Sequence, residues 1–163
     1  MIRLVRVLEK DRDLLWNLNQ KYLYEMTNYY DDPMDAGGNY SYGYFDAYFS
    51  DPKRIAYLLY EGDALVGFAM LHPYSCIGGT PDHTMAEFTI FPAFRRKHLA
   101  YDAATAILEK HPGRWEIKYN EKNIAAKHLW NKVAAPFLPE SLALNGEETV
   151  LSFTYAPADK RFL

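Results

Sequence analysis

Arg95, Arg96 and Lys97 are three consecutive bases inside the stretch FPAFRRKHLA, residues 91–100. Before them, Thr84 to Phe91 reads as a strand. After them, Leu99, Ala100, Ala103, Ala104, Ile107 and Leu108 recur on one helical face. A helix start carries amides with no partner inside the helix, and they and the helix dipole favour an anion. The dipole alone prefers acidic residues at this place, so three bases point to an anionic ligand. Each good charge-assisted hydrogen bond contributes about 1.5–3 kcal/mol, so a pyrophosphate with several contacts is held firmly. The competing reading is a solvated charge run, because basic triplets are common on surfaces. The strand, the sharp turn and a helix face of small residues favour the ligand.

The elements that must hold this turn follow from periodicity. Residues 2–7, IRLVRV, alternate apolar and basic as a half-buried strand. Asp11 is placed to cap a helix whose face is Leu14, Leu15, Leu18, Tyr22, Leu23 and Met26. A long Tyr-, Asp- and Gly-rich loop leads to a short helix near Asp46, and loops of that length are often functional. Ile55 to Tyr60 and Leu65 to Leu71 form a hairpin around Gly62. A second loop spans His72 to His83. Pro92 ends the strand before the basic turn, because proline cannot donate to a sheet ladder. Trp115, Ile117 and Tyr119 alternate with Glu116 and Lys118 as another strand. Ala125, Ala126, Leu129, Trp130 and Val133 make a helical stripe stopped by Pro136, and Val150 to Tyr155 closes the chain as a strand. This order gives one α/β domain over residues 1–163, without repeats or linkers.

Composition narrows the function. The 49% apolar and 24% charged residues fit a soluble globular chain. The net charge of −3 argues against general nucleic-acid binding, which needs a basic surplus. No stretch approaches the roughly 20 apolar residues that span a bilayer. The N-terminus has no long apolar run, so no signal peptide is expected and the reading is cytoplasmic. The single cysteine, Cys76, permits no internal disulfide. The five histidines show no metal-ligand spacing, so no metal is expected.

The segment EFTIFPAFRRKHLAYDAATAIL resembles the acetyl-CoA-binding motif of the GNAT superfamily of N-acetyltransferases, Q/R-x-x-G-x-G/A after a strand. Arg95 stands at its first position and Ala100 at its last, with His98 in place of the first glycine. NEKNIAAKHLWNKV resembles the family's later helix, through Asn123, Ala126, Leu129, Trp130 and Lys132. MAEF and GRWEI resemble a bacterial subgroup. The order of elements fits over nearly the whole chain. If residue 98 has ordinary helical dihedrals and its side chain points away, the missing glycine is tolerated.

The resemblance implies a mixed central sheet flanked by helices, and direct transfer of acetyl from acetyl-CoA to a primary amine of a small molecule or peptide. In the family the strand before the turn splays from its neighbour and pairs with the pantetheine arm. That maps onto Phe88, Thr89, Ile90 and Phe91, one of whose N–H groups polarises the thioester carbonyl. Arg95, Arg96, Lys97, His98, Leu99 and Ala100 form the diphosphate turn. Asn123 maps to a pantetheine contact, with a plain helix cap as its other reading. Glu87 is the expected base, because the acceptor ammonium must lose a proton before attack. Trp130 stands where many relatives have a tyrosine acid, and an indole cannot give up a proton. Tyr29, Tyr30, Asp31, Asp32 and Tyr42 lie where family members bind acceptors, and suit a cationic amine. A dimer is common in the family. Two other readings stay open: a CoA-binding sensor or protein-interaction domain of the same fold without turnover, and a module holding another nucleotide phosphate.

Overall fold

The computed structural model describes residues 1–95 and 97–157. Seven strands form one sheet: β1 (Ile2–Arg6), β2 (Ile55–Glu61), β3 (Ala64–His72), β4 (His83–Ile90), β5 (Gly113–Asn120), β6 (Glu140–Leu144) and β7 (Glu148–Tyr155). Their spatial order is β1-β2-β3-β4-β5-β7-β6, and only β4 with β5 is parallel. The helices are α1 (Arg12–Met26), α2 (Ala47–Ser50), α3 (Leu99–Lys110) and α4 (Ile124–Ala134).

Strand alternation splits the core into two layers. Leu59, Ala69, Trp115 and Ile117 face α3 and α4, where Ala103, Ala104, Ile107 and Leu108 are buried. Leu58, Phe68 and Met70 face the other way, against Leu15 and Leu18 of α1 and Tyr48 of α2. The alanines of α3 let that helix lie close on the sheet, as its sequence suggests.

Two local readings are corrected. Asp11 does not cap α1 with its side chain: its Oδ2 accepts from Leu8 N–H at 3.0 Å, closing the 3₁₀ turn Glu9–Asp11. The chain closes with a hairpin, β6 and β7, and not with one strand. Every residue from Glu140 to Ala143 is exposed, so β6 has no buried face and no alternating signal to read.

Candidate active site

Strands β4 and β5 are paired only from His83↔Trp115 to Met85↔Ile117. Beyond that point they separate, and β4 keeps its other neighbour β3. Phe91 N–H donates to Val66 O at 2.8 Å, which fixes the phase of that ladder. In an antiparallel pair alternate residues turn their peptide groups to opposite sides. The peptide groups of Phe88 and Ile90 therefore face the gap. Gly67 allows the tight β3–β4 approach here, since a Cβ on it would stand 2.1 Å from Thr89 O.

The Phe88 ring packs edge-on against Trp130 of α4, centroids 5.0 Å apart. Trp130 is buried, as are Thr89 and Ile90, while Phe91 packs into the layer under α1. Asn123 is a helix cap: its Oδ1 accepts from Ala126 N–H at 3.1 Å. That bond occupies the oxygen and leaves the amide nitrogen for another contact.

The basic turn runs through a 3₁₀ segment, Pro92–Phe94, and enters α3 at Leu99. Asp102 N–H reaches His98 O at 3.1 Å, whereas the amides of Lys97, His98, Leu99, Ala100 and Tyr101 have no acceptor among the described residues. Lys97 and His98 are exposed; Arg96 lies outside the described residues. His98 does not have helical dihedrals. It sits at φ 58°, ψ 9°, the left-handed region, so the position calls for the glycine it lacks. A non-glycine residue there costs about 1–2 kcal/mol. His98→Gly should recover part of this, less the roughly 0.5–1 kcal/mol of extra chain entropy that glycine loses. The expected result is a small rise in urea midpoint with unchanged slope.

Arg95 differs from its expected place. Its guanidinium turns back from the turn's mouth. Nε donates to Ile90 O at 2.7 Å, and Nη2 donates to both oxygens of Glu25 at 2.7 and 2.9 Å. Glu25 lies in the last turn of α1, so the side chain expected to meet a phosphate is held by protein.

On the α1 side of β4, Glu87 accepts a hydrogen bond from Tyr42 O–H at 3.2 Å. Burial raises its carboxyl from the usual 4.5 to about 7. Hydrogen bonds from Tyr22 and Tyr42 and the charge of Lys118 pull the other way and are outweighed. Burial and the Glu87 charge push the Tyr22 and Tyr42 hydroxyls up, so both stay protonated donors.

Across the gap, Tyr30 O–H donates to Glu148 Oε2 at 2.7 Å, and Lys118 Nζ pairs with the same oxygen at 3.2 Å. Asn120 Nδ2 reaches Tyr29 O at 3.4 Å. Of the residues expected at an acceptor, Tyr42 meets Glu87 and Tyr30 meets Glu148. Asp31 and Asp32 are exposed and make no ion pair among the described residues. Sequence reasoning missed Tyr22, Lys118, Asn120 and Glu148. Tyr22 lies on the apolar stripe of α1, which hides its hydroxyl. Lys118 and Asn120 are the polar positions of an alternating strand, and only the parting of β4 from β5 distinguishes them from a solvated face. A 460 Å³ groove at the opposite end of β5, lined by Trp115, Phe137 and Phe153, shares no residue with this site.

A seven-stranded mixed sheet, opened between its two parallel strands above a basic turn, defines an acyltransferase-type α/β protein. Residues 16–135 match the Acetyltransferase (GNAT) family, and the chain belongs to that family. It is similar in fold to three solved structures. One is an acetyltransferase of the GNAT family from Streptococcus agalactiae, 16% identical, TM-score 0.69, with 96% of each chain covered. Another is an acetyltransferase from Thermus thermophilus, 18% identical, TM-score 0.65, covering 95% of this chain and 96% of that one. The third is NAA60 of Arabidopsis thaliana in complex with acetyl-CoA, 11% identical, TM-score 0.60, covering 95% and 98%. The sequence matches no curated protein. Among the described residues no helix is long and apolar enough to cross a membrane.

Proposed function

We propose that the protein transfers the acetyl group of acetyl-CoA directly to a primary amine, with Glu87 as the base. The observation that carries this reading is the Glu87 carboxyl, held under the Tyr42 hydroxyl on the α1 side of β4, one residue before the peptide group of Phe88 that faces the gap; burial raises it to about 7. Family membership and the acetyl-CoA in the similar Arabidopsis structure support the donor. The gap-facing peptide group of Phe88 and the N–H of Ile90 suit the amides of a pantetheine arm, while the Ile90 carbonyl is taken by Arg95. The amides of residues 97–101, without an acceptor among the described residues, and the Lys97 charge suit a diphosphate. Arg96 belongs with Lys97 on sequence grounds.

Near neutral pH the acceptor enters as an ammonium, pKa about 10.4. The Glu87 carboxylate takes one proton and frees the nitrogen lone pair. The amine then attacks the thioester carbonyl, and a gap-facing N–H stabilises the oxygen as it gains charge. The C–S bond breaks, an amide forms, and the nitrogen's remaining excess proton passes through water to the CoA thiolate, whose conjugate thiol has pKa about 8.5. Trp130 closes the wall beside Phe88 and donates no proton. Tyr29, Tyr30, Tyr42, Asp31 and Asp32 give the mouth aromatic faces and negative charge, which fits a cationic acceptor.

A thermal-shift series with CoA, acetyl-CoA and ATP, followed by an amine panel scored for free thiol, tests this reading. A ligand that binds the native state at 100 times its Kd adds about 2.7 kcal/mol of stability. Stabilisation by CoA with thiol release is expected. A response to ATP and not to CoA would overturn the assignment. Stabilisation by CoA with no release across a broad panel would mark a sensor.

A further inference from the structure

We infer that Arg95 and Glu25 are positioning residues that tie the gap-facing edge of β4 to the acceptor wall, and that Arg95 is not a phosphate ligand. The inference rests on the acetyltransferase reading for its activity arm alone. Three observations carry it. Arg95 directs two of its three nitrogens to protein: Nε to Ile90 O, and Nη2 to Glu25, with Thr89 Oγ1 at 3.4 Å. Ile90 O lies on a strand edge that has lost its sheet partner, so this bond sets how the neighbouring peptide groups face the gap.

Glu25 is oddly placed for helix stability. A carboxylate in the last turn of a helix opposes the dipole, so its role lies outside α1. From Glu25 the chain winds on without slack. Asn28 N–H and Nδ2 both donate to Glu25 O, at 3.1 and 2.8 Å, and Tyr29 and Tyr30 N–H both donate to Met26 O, at 2.9 and 3.0 Å. Tyr30 O–H then reaches Glu148 on β7. A path of hydrogen bonds and intervening backbone therefore runs from Ile90 through Arg95, Glu25, Met26 and Tyr30 to the far side of the gap. Arginine suits this place because its planar fork aims two separate nitrogens in fixed directions at two acceptors, whereas the three donors of lysine all radiate from one nitrogen.

The test compares Arg95→Gln, Arg95→Lys, Glu25→Gln and the double variant. The readouts are CoA affinity by calorimetry, amide exchange of residues 27–32, and kinetics with an acceptor from the panel. Arg95→Gln and Glu25→Gln should raise acceptor KM about tenfold, move CoA Kd less than about threefold, and speed exchange across residues 27–32. The double variant should be no worse than either single one, since both remove one interaction. Arg95→Lys should not rescue. A tenfold loss of CoA affinity in Arg95→Gln alone, restored by lysine, would make Arg95 a phosphate ligand and overturn the inference. Unchanged exchange in residues 27–32 would overturn it too. If the unaltered protein fails to bind CoA, the acetyltransferase reading falls, while the exchange measurement still decides the strut.

Discussion

Glu87→Gln should lower kcat/KM by at least about 100-fold, the usual contribution of a positioned base. The glutamine keeps the size and can still accept the Tyr42 hydrogen bond, so the loss isolates proton transfer. In the unaltered enzyme kcat/KM should rise with pH through an apparent pKa near 7, where the buried carboxyl ionises. The variant should lose that limb. A profile that keeps its acidic limb would remove Glu87 from the role, and so would a loss of activity confined to KM.

Acid should destabilise Glu87→Gln well before ordinary carboxylates titrate, and the unaltered protein much less. Burial, helped by the Arg54 charge, lowers His72 from 6.5 to about 4. Burial, helped by the charges of His83, Lys110 and Arg6, lowers His111 to about 4. A histidine whose folded pKa is depressed contributes stability that is present above pH 6.5 and is lost as pH falls towards 4. Both rings are only half-buried, so solvent screening cuts the full shift, and each loses on the order of 1.5 kcal/mol between pH 7 and 4.5. Glu87 works against this. Its raised folded pKa gives stability that is full below 4.5 and is lost as pH rises through about 7. That term is on the order of 2.5 kcal/mol. The opposing terms should therefore nearly cancel in the unaltered protein between pH 7 and 4.5, whereas Glu87→Gln should lose about 3 kcal/mol over the same range. At pH 7 the variant should be the more stable protein, by about 2 kcal/mol. Urea unfolding at the two pH values checks both figures. Equal acid losses in the two proteins would show that Glu87 is not buried as an acid.

What the sequence determined alone is local. Alternation on β5 and the stripes of α1, α3 and α4 were legible because a half-buried element repeats its contact with the core at its own period. The basic turn and the break at Pro92 were legible because turn chemistry is written in adjacent residues. Asn123 could be read as a cap for the same reason, and its bond to Ala126 spans three residues. Strand β6 was not legible, because a strand exposed on both faces has no pattern.

Tertiary structure decided what depends on partners distant in the chain. Arg95 reads as an anion ligand from its neighbours in sequence, and its bond to Glu25, 70 residues away, appears only in the fold. The left-handed dihedrals of His98 follow from how the turn must join β4 to α3, which side-chain identity does not report. The pKa of Glu87 depends on burial beneath Tyr22 and Tyr42, from two other segments. Residue types supply the charges and hydroxyls; their desolvation and pairing arise only when β4 parts from β5 and α1 closes over the gap.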